Sequence, residues 1–334
     1  MSADNSSQFP YQACLTPNLP EETQLQIRDL TNHVAIPLNM LVAAMSFVCN
    51  GLVIMTVART KSLHQPPLLM LCSLAMTDVL YSQYSFFRFI ELLAHDHMCP
   101  DRASEEIATL AALCLLATLG NLAIISRDRY LAVRKPWWYR THVTKSRAMK
   151  MICVPWLTSA VISFIMYLSR TFGGRFPPLG QVMSLLFCFI CFSVITFYYL
   201  SLFCRKTSPE EVLLVRAVLE REKRTANTVA LILLVLLVTF LPGLLFPLVL
   251  NAIGVSNFQP FRPLYGILLQ LNGLLNPLLN FGRSKEMRTA LRKFFKCSQK
   301  VQPLSTTSAP RQQPVTTKVT NSSSSTTTTT PAKQ

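Results

Sequence analysis

Charge is scarce in this chain: Asp, Glu, Lys and Arg make up 14% of its 334 residues. Glycine is sparse as well, at 10 residues, and no phosphate-cradling glycine loop is present. All 5 histidines fall in loops or termini, so there is no metal-ligand spacing and no hydrolytic triad. A membrane-embedded enzyme would need several convergent acids or histidines, and an ion pathway more than one isolated acid. The internal repeats and facing broken helices of a transporter are missing too. Residues 1–33 are polar and lack the apolar core of a cleavable signal peptide, so the first apolar run is expected to serve as the insertion signal.

What the chain does have is apolar length. Half of its residues are hydrophobic, and a bilayer core about 30 Å thick needs about 20 apolar residues per helix. Seven runs qualify, near 34–58, 67–94, 104–130, 148–168, 179–204, 224–250 and 261–281. The expected architecture is an all-α membrane protein, a bundle of seven transmembrane helices over 34–281. It is flanked by an extracellular segment (1–33), an amphipathic cytoplasmic helix (282–297) and a disordered Ser/Thr-rich tail (298–334). The net charge of +16 would suggest nucleic acid in a soluble protein, but 26 of the 32 Lys and Arg residues fall in 59–67, 127–150, 205–224 and 282–334. Those are alternate loops plus the tail, so the positive-inside rule predicts a cytoplasmic C-terminus and an outside N-terminus. Asn5 then heads a glycosylation sequon on the outside. Cys14 and Cys99 are the cysteines in oxidising territory and are able to pair.

The third run ends in Ser126-Arg127-Asp128-Arg129-Tyr130, which reads either as a charged helix terminus or as a switch. In the second run Asp78 is an intramembrane acid, costing about 2.5–3.5 kcal/mol on insertion scales, which makes it a functional candidate. Arg88 and Glu91, three residues apart, either snorkel to headgroups or line a pocket. Asn50 stands isolated in the first run as interhelical glue, and Trp156 in the fourth reads as packing. Residues 133–139 combine bases with interfacial aromatics and read as a membrane-anchoring loop. Ser208-Pro209-Glu210-Glu211 is a strong helix start, and Pro242 and Pro247 predict a kink in the sixth run. The seventh carries Asn272 and then Asn276-Pro277. Beyond it, Met287, Leu291, Phe294 and Phe295 share the spacing of a helix lying on the membrane, with Cys297 positioned for palmitoylation. The Ser/Thr tail reads as a spacer or a kinase target.

Taken in order, Asn50, Leu74 to Asp78, Asp128-Arg129-Tyr130, Trp156, Phe240-Leu241-Pro242 and Asn276-Pro277 resemble the motifs of the rhodopsin-like (class A) G-protein-coupled receptors. The resemblance implies a receptor and not an enzyme. An extracellular ligand would drive nucleotide exchange on a heterotrimeric G protein, and arrestin and receptor kinases would act at the tail. It assigns Arg129 a resting partner, Glu222, and a sodium ion as allosteric modulator at Asp78, Thr118, Asn272 and Asn276. It also predicts a ligand pocket of Phe87, Arg88, Glu91, Ala111, Leu115, Phe240, Leu244 and Gln270, suited to a lipid or small amphiphile. Ala111 stands where amine receptors carry an aspartate, and Gln270 where opsins carry the retinal lysine. Phe240 and Asn280 depart from the family's tryptophan and tyrosine, and Ser104 from its extracellular cysteine. A seven-helix protein that binds ligand without coupling and, further off, a transporter are the alternatives.

Overall fold

The computed structural model describes residues 21–94, 105–172, 177–203, 238–242, 245 and 262–298, and among these every regular element is helical. α1 (Glu21–Leu30) runs through one π-turn (Thr31–Ala35) into α2 (Ile36–Arg59). There the Ile36 amide bonds back to the Thr31 carbonyl, one residue wider than an α-helical step. The cause sits next door: Pro37 has no N–H and its ring crowds the carbonyl four residues back. The first helix therefore begins well before the apolar run at residue 34, because apolarity marks only the part that lipid touches.

The remaining helices are α3 (Pro66–Ala94), α4 (Glu105–Arg134), α5 (Pro136–His142), α6 (Lys145–Thr171), α7 (Pro177–Phe203), α8 (Arg262–Arg283) and α9 (Lys285–Ser298). Among the described residues four stretches are long and apolar enough to cross a membrane: Thr31–Arg59, Thr109–Arg134, Lys145–Ser169 and Leu179–Leu202. α3 and α8, of 29 and 22 residues, have the length, but polar side chains interrupt their apolar middles, Thr77, Asp78 and Ser82 in α3 and Asn272 and Asn276 in α8. The sixth expected span is helical over 238–242. The rest of it, with Ser208 to Glu211, Glu222, Leu244 and Pro247, lies outside the described residues. So do Asn5, Cys14, Cys99 and the tail beyond Ser298.

α4 is the centre of the bundle. It packs on α3, α6 and α7, and 56% of its apolar window is buried against 22% for α6 and α7. In lipid, helices associate through close packing and interhelical hydrogen bonds rather than through the hydrophobic effect, so small residues at crossings matter. Gly120 is the tightest such point on α4: an added Cβ would lie 2.6 Å from Pro155 Cβ and 3.3 Å from Phe187 Cζ. α8 packs on α2 and α3. The main core joins Val53, Leu74, Leu119, Ile195, Phe240 and Leu269 from six different helical segments. The outer faces of α6 and α7 stay apolar, with Leu157, Phe164, Phe189 and Phe197 exposed, as a lipid solvent requires.

Two expectations change here. Residues 136–142 form the helix α5 instead of an irregular anchoring loop; Pro136 stands at its first turn, where a missing N–H costs nothing. Met287, grouped with the membrane-facing residues of the last helix, is instead fully buried in the main core. The corner before it explains the tilt. The Ser284 hydroxyl accepts the Met287 amide at 3.1 Å, and the Arg288 side chain donates to the Phe281 and Gly282 carbonyls. These bonds cap both helices and turn the start of α9 under α2 and α8, which it contacts.

Candidate functional site

A buried polar junction lies where α2, α3, α4 and α8 meet. Pro277 supplies no amide hydrogen, so the Gly273 carbonyl, four residues earlier, has lost its helical donor. Asn50 replaces it: its Nδ2 donates to Gly273 O at 3.0 Å and is within reach of Ser46 O at 3.0 Å and Ser46 Oγ at 3.2 Å. Asn276, one residue before the proline, donates to the Asp78 carboxylate at 3.3 Å. Thr118 donates at 2.9 Å to Thr77, the residue before Asp78. Asn272 is buried one turn before Asn276. A Cβ on Gly273 would stand 3.4 Å from Asp78 Oδ1 and 3.2 Å from Ser46 Oγ, so glycine keeps one side of the carboxylate open. Asn276 turns its Nδ2 toward the carboxylate in this packing; the carboxylate itself and the nearby hydroxyls are oxygen donors of the kind a small hard cation takes.

Next to this junction Trp156 does more than pack. Its indole N–H donates to Ser73 Oγ at 2.9 Å, and Ser73 donates to Asn121 Oδ1 at 2.9 Å. Helices α6, α3 and α4 are thereby joined by one chain of bonds.

At the C-terminal end of α4, Asp128 is buried while Arg129 is half-buried. Tyr139 of α5 donates to Asp128 Oδ1 at 2.8 Å, and the Arg129 and Arg127 guanidiniums act on the same carboxylate. Tyr130 packs on Tyr198 of α7, ring centroids 5.0 Å apart. Arg134 lies over Tyr130 and donates to the Ser201 carbonyl at 3.0 Å. Thus Asp128 and Tyr130 point to different neighbours, and Arg129 stands between them. Burial first, then the adjacent Asp128 carboxylate, push the Tyr139 phenol above its ordinary range. A group whose folded state holds its proton more tightly contributes stability below its unfolded value, about pH 10 for tyrosine, and loses it as pH rises through the raised value. The donor is therefore intact throughout physiological pH. Tyr139→Phe is expected to cost about 1.5–3 kcal/mol, the range for a hydrogen bond to a charged group. The readouts are a lower Tm and faster amide exchange across α5; an unchanged Tm counts against the bond.

The expected pocket residues divide. Phe240 is 1% exposed and lies against Phe192, centroids 6.2 Å apart; Ala111 is buried and Leu115 packs on the core. Gln270 is 2% exposed with both amide atoms unpartnered among the described residues, and Arg88 is buried with interactions of its own. Phe87 is 67% exposed, on the same outward stripe of α3 as Met76 and Ile90, so it belongs to the lipid face and not to the pocket. Adjacent helical residues diverge by about 100°, and burying Arg88 turns Phe87 away. The side chains of Glu91 and Leu244 lie outside the described residues. Ser46, Ser73, Asn121, Tyr139 and Gly273 were not singled out from the sequence. Gly273 alone had a signal, standing four residues before a helical proline; Tyr139 lies eleven residues from Asp128 with none.

Comparison with known proteins agrees with this arrangement. A family model for the 7 transmembrane receptor (rhodopsin family) matches residues 49–280. Melanocortin receptor 5 of Pan troglodytes is 26% identical over 280 residues, covering 79% of this chain and 85% of that protein. The Homo sapiens melanocortin receptor 5 is 25% identical over 281 residues, with the same shares of 79% and 85%. Cannabinoid receptor 1 of Xenopus laevis is 24% identical over 310 residues, 82% of this chain and 66% of that one. With a buried polar junction on α3 and α8, a charged C-terminal end on α4, and the family's model spanning most of the chain, the protein belongs to the rhodopsin family of seven-transmembrane, G-protein-coupled signalling receptors.

Proposed function

We propose that this receptor sits in the plasma membrane with its N-terminus outside, and converts binding of an extracellular lipid or small amphiphile into GDP–GTP exchange on a heterotrimeric G protein. The observation that carries the reading is the division of labour at the end of α4: Asp128 is held by Tyr139 and Tyr130 by Tyr198. Arg129 is left between them as the group that can change partners. At rest its partners in this reading are Asp128 and, by the family resemblance, Glu222. Ligand binding shifts a pre-existing equilibrium toward a state in which the sixth helix swings outward and Arg129 packs against the α subunit. The Asp78–Asn276 contact, with a sodium ion held by Asp78, Thr118, Asn272 and Asn276, favours the resting packing. Pro277 gives helix seven its freedom to move.

The amphiphile reading is supported by the apolar pocket floor of Ala111, Leu115 and Phe240, with Gln270 as its polar element. The names of the relatives, melanocortin and cannabinoid receptors, differ in ligand, so ligand class is argued from this chain's own residues. Glycosylation at Asn5, a Cys14–Cys99 disulfide, palmitoylation of Cys297, and kinase and arrestin action on the Ser/Thr tail complete the proposal. Nucleotide exchange on a panel of purified G proteins, with the receptor in nanodiscs, tests it. Exchange above the receptor-free rate on at least one G protein is expected. No exchange on any of them, while a ligand still recruits arrestin, would favour a receptor that binds without coupling.

A further inference from the structure

A buried polar atom without a partner is costly, and a site that keeps several together is arranged for something that supplies the missing bonds. Of the seven such atoms among the described residues, five lie on the first, second and seventh helices: Thr31 Oγ1, Asn39 Oδ1, Ser82 Oγ and both amide atoms of Gln270. Helical register brings three of these residues into one seam. Asp78 of α3 lies against Gly273 of α8. One turn outward from that contact, about 5.4 Å, stand Ser82 on α3 and Gln270 on α8. One turn further out, Asn39 Oδ1 lies 3.6 Å from the position of a Cβ on Gly266. Both Asn39 donor bonds are already spent, on Ala35 O at 2.7 Å and Pro263 O at 2.6 Å, so only its acceptor remains.

The unpartnered inventory is therefore specific. It comprises the Asn39 carbonyl as acceptor, the Gln270 amide as donor and acceptor, and the Ser82 hydroxyl as either. None of these groups is charged. Arg88, six residues beyond Ser82, is about 9 Å further out and rotated about 120° away, so its charge belongs to a different face of α3.

We infer that Gln270, Ser82 and Asn39 form a subsite between α2, α3 and α8 that takes the uncharged head group of an amphiphile, one presenting hydrogen-bond donors and acceptors together, as a primary amide or a glycerol ester does. The inference rests on the amphiphile reading and narrows it: a carboxylate would bring only acceptors and an unpaired charge, an ammonium only donors and a charge. The acyl chain then runs toward the apolar floor at Ala111, Leu115 and Phe240.

Four probes sharing one chain separate the possibilities: oleamide, monooleoylglycerol, oleic acid and oleylamine, added to the full-length receptor in phosphatidylcholine nanodiscs. The neutral pair is expected to raise Tm in a saturable way, and the acid and amine to need at least about ten-fold more. Gln270→Leu is expected to raise the Tm of the ligand-free receptor, since it removes an unpartnered buried amide, and to weaken oleamide about ten-fold or more. Ser82→Ala, a minimal change at a helical position, is expected to weaken oleamide too. Oleic acid binding as tightly as oleamide, or oleamide binding indifferent to both substitutions, overturns the subsite and leaves the amphiphile reading standing. A ligand-free Gln270→Leu receptor that melts lower than its parent shows a structural partner for the amide and also overturns it. If no probe shifts Tm, the amphiphile reading falls and the subsite with it.

Discussion

An Arg129→Ala receptor is expected to reach the cell surface in normal amount and to promote no nucleotide exchange, basal or ligand-driven. The two halves of that result have separate causes. Folding survives because the contacts at the end of α4 are made by its neighbours: Asp128 with Tyr139, and Tyr130 with Tyr198 and Arg134. A half-buried side chain at a helix end is among the cheaper ones to truncate. Function fails because Arg129 is the group proposed to exchange carboxylates for the G protein. The companion variant moves the other way. Glu222→Ala removes the carboxylate proposed as a resting partner of Arg129, and an exposed ion pair contributes about 0–1 kcal/mol. A change of that size raises the active population by up to about five-fold. Basal exchange per receptor, at matched surface expression, is the measurement for both. Basal exchange that Glu222→Ala leaves unchanged would sink the lock, and exchange that survives in Arg129→Ala would sink the switch.

The second large effect is structural. Gly120→Leu is expected to leave almost no folded receptor. Even the first added carbon would meet Pro155 Cβ at 2.6 Å, with Pro155 Cα at 3.5 Å and Phe187 Cζ at 3.3 Å behind it. The obstacle is a ring fused to the backbone of α6, which has no rotamer to retreat into. Relief requires α6 or α7 to move off α4, the helix on which both depend. Overpacking of a methylene or two costs about 1–3 kcal/mol, and leucine adds more than that. Gly120→Ala should be the graded case, folded but destabilised by an amount in that range. Surface immunostaining and size-exclusion profiles of detergent-solubilised receptor rank the three. Equal yields for leucine and glycine would show that the crossing is looser than these distances.

The parts of this receptor that could be read from the sequence are those with local causes. Apolar length marks the spans, and a charge cluster at the end of a run marks the C-terminal limit of the span in α4. A proline four residues beyond Gly273 marks a carbonyl in need of a donor. What escaped reading depends on which way a helix faces once packed. Phe87 and Arg88 are neighbours in sequence with opposite environments, and no periodicity in a largely apolar helix distinguishes them. Met287 fits a membrane-facing stripe by spacing, yet the Ser284 and Arg288 caps turn it into the core. Trp156 reads as packing because its indole partner, Ser73, is 83 residues away. Tyr139 reads as interfacial for a related reason: tyrosines at membrane surfaces are common, and only the fold shows a buried carboxylate within its reach.

α8 is pinned to α2 at two carbonyls, Pro263 through Asn39 and Gly273 through Asn50. The pins are ten residues apart, about 15 Å of helix. A rod held at one point swivels; held at two, it is splinted. Any rotation or slide of the outer half of α8 must break both bonds together in a region where no solvent replaces them, whereas the stretch from Asn276 to Arg283 carries neither pin. Any motion of α8 is therefore cheapest in its last two turns, where the Asn276–Asp78 contact and the Arg288 cap on the Phe281 carbonyl are what hold it.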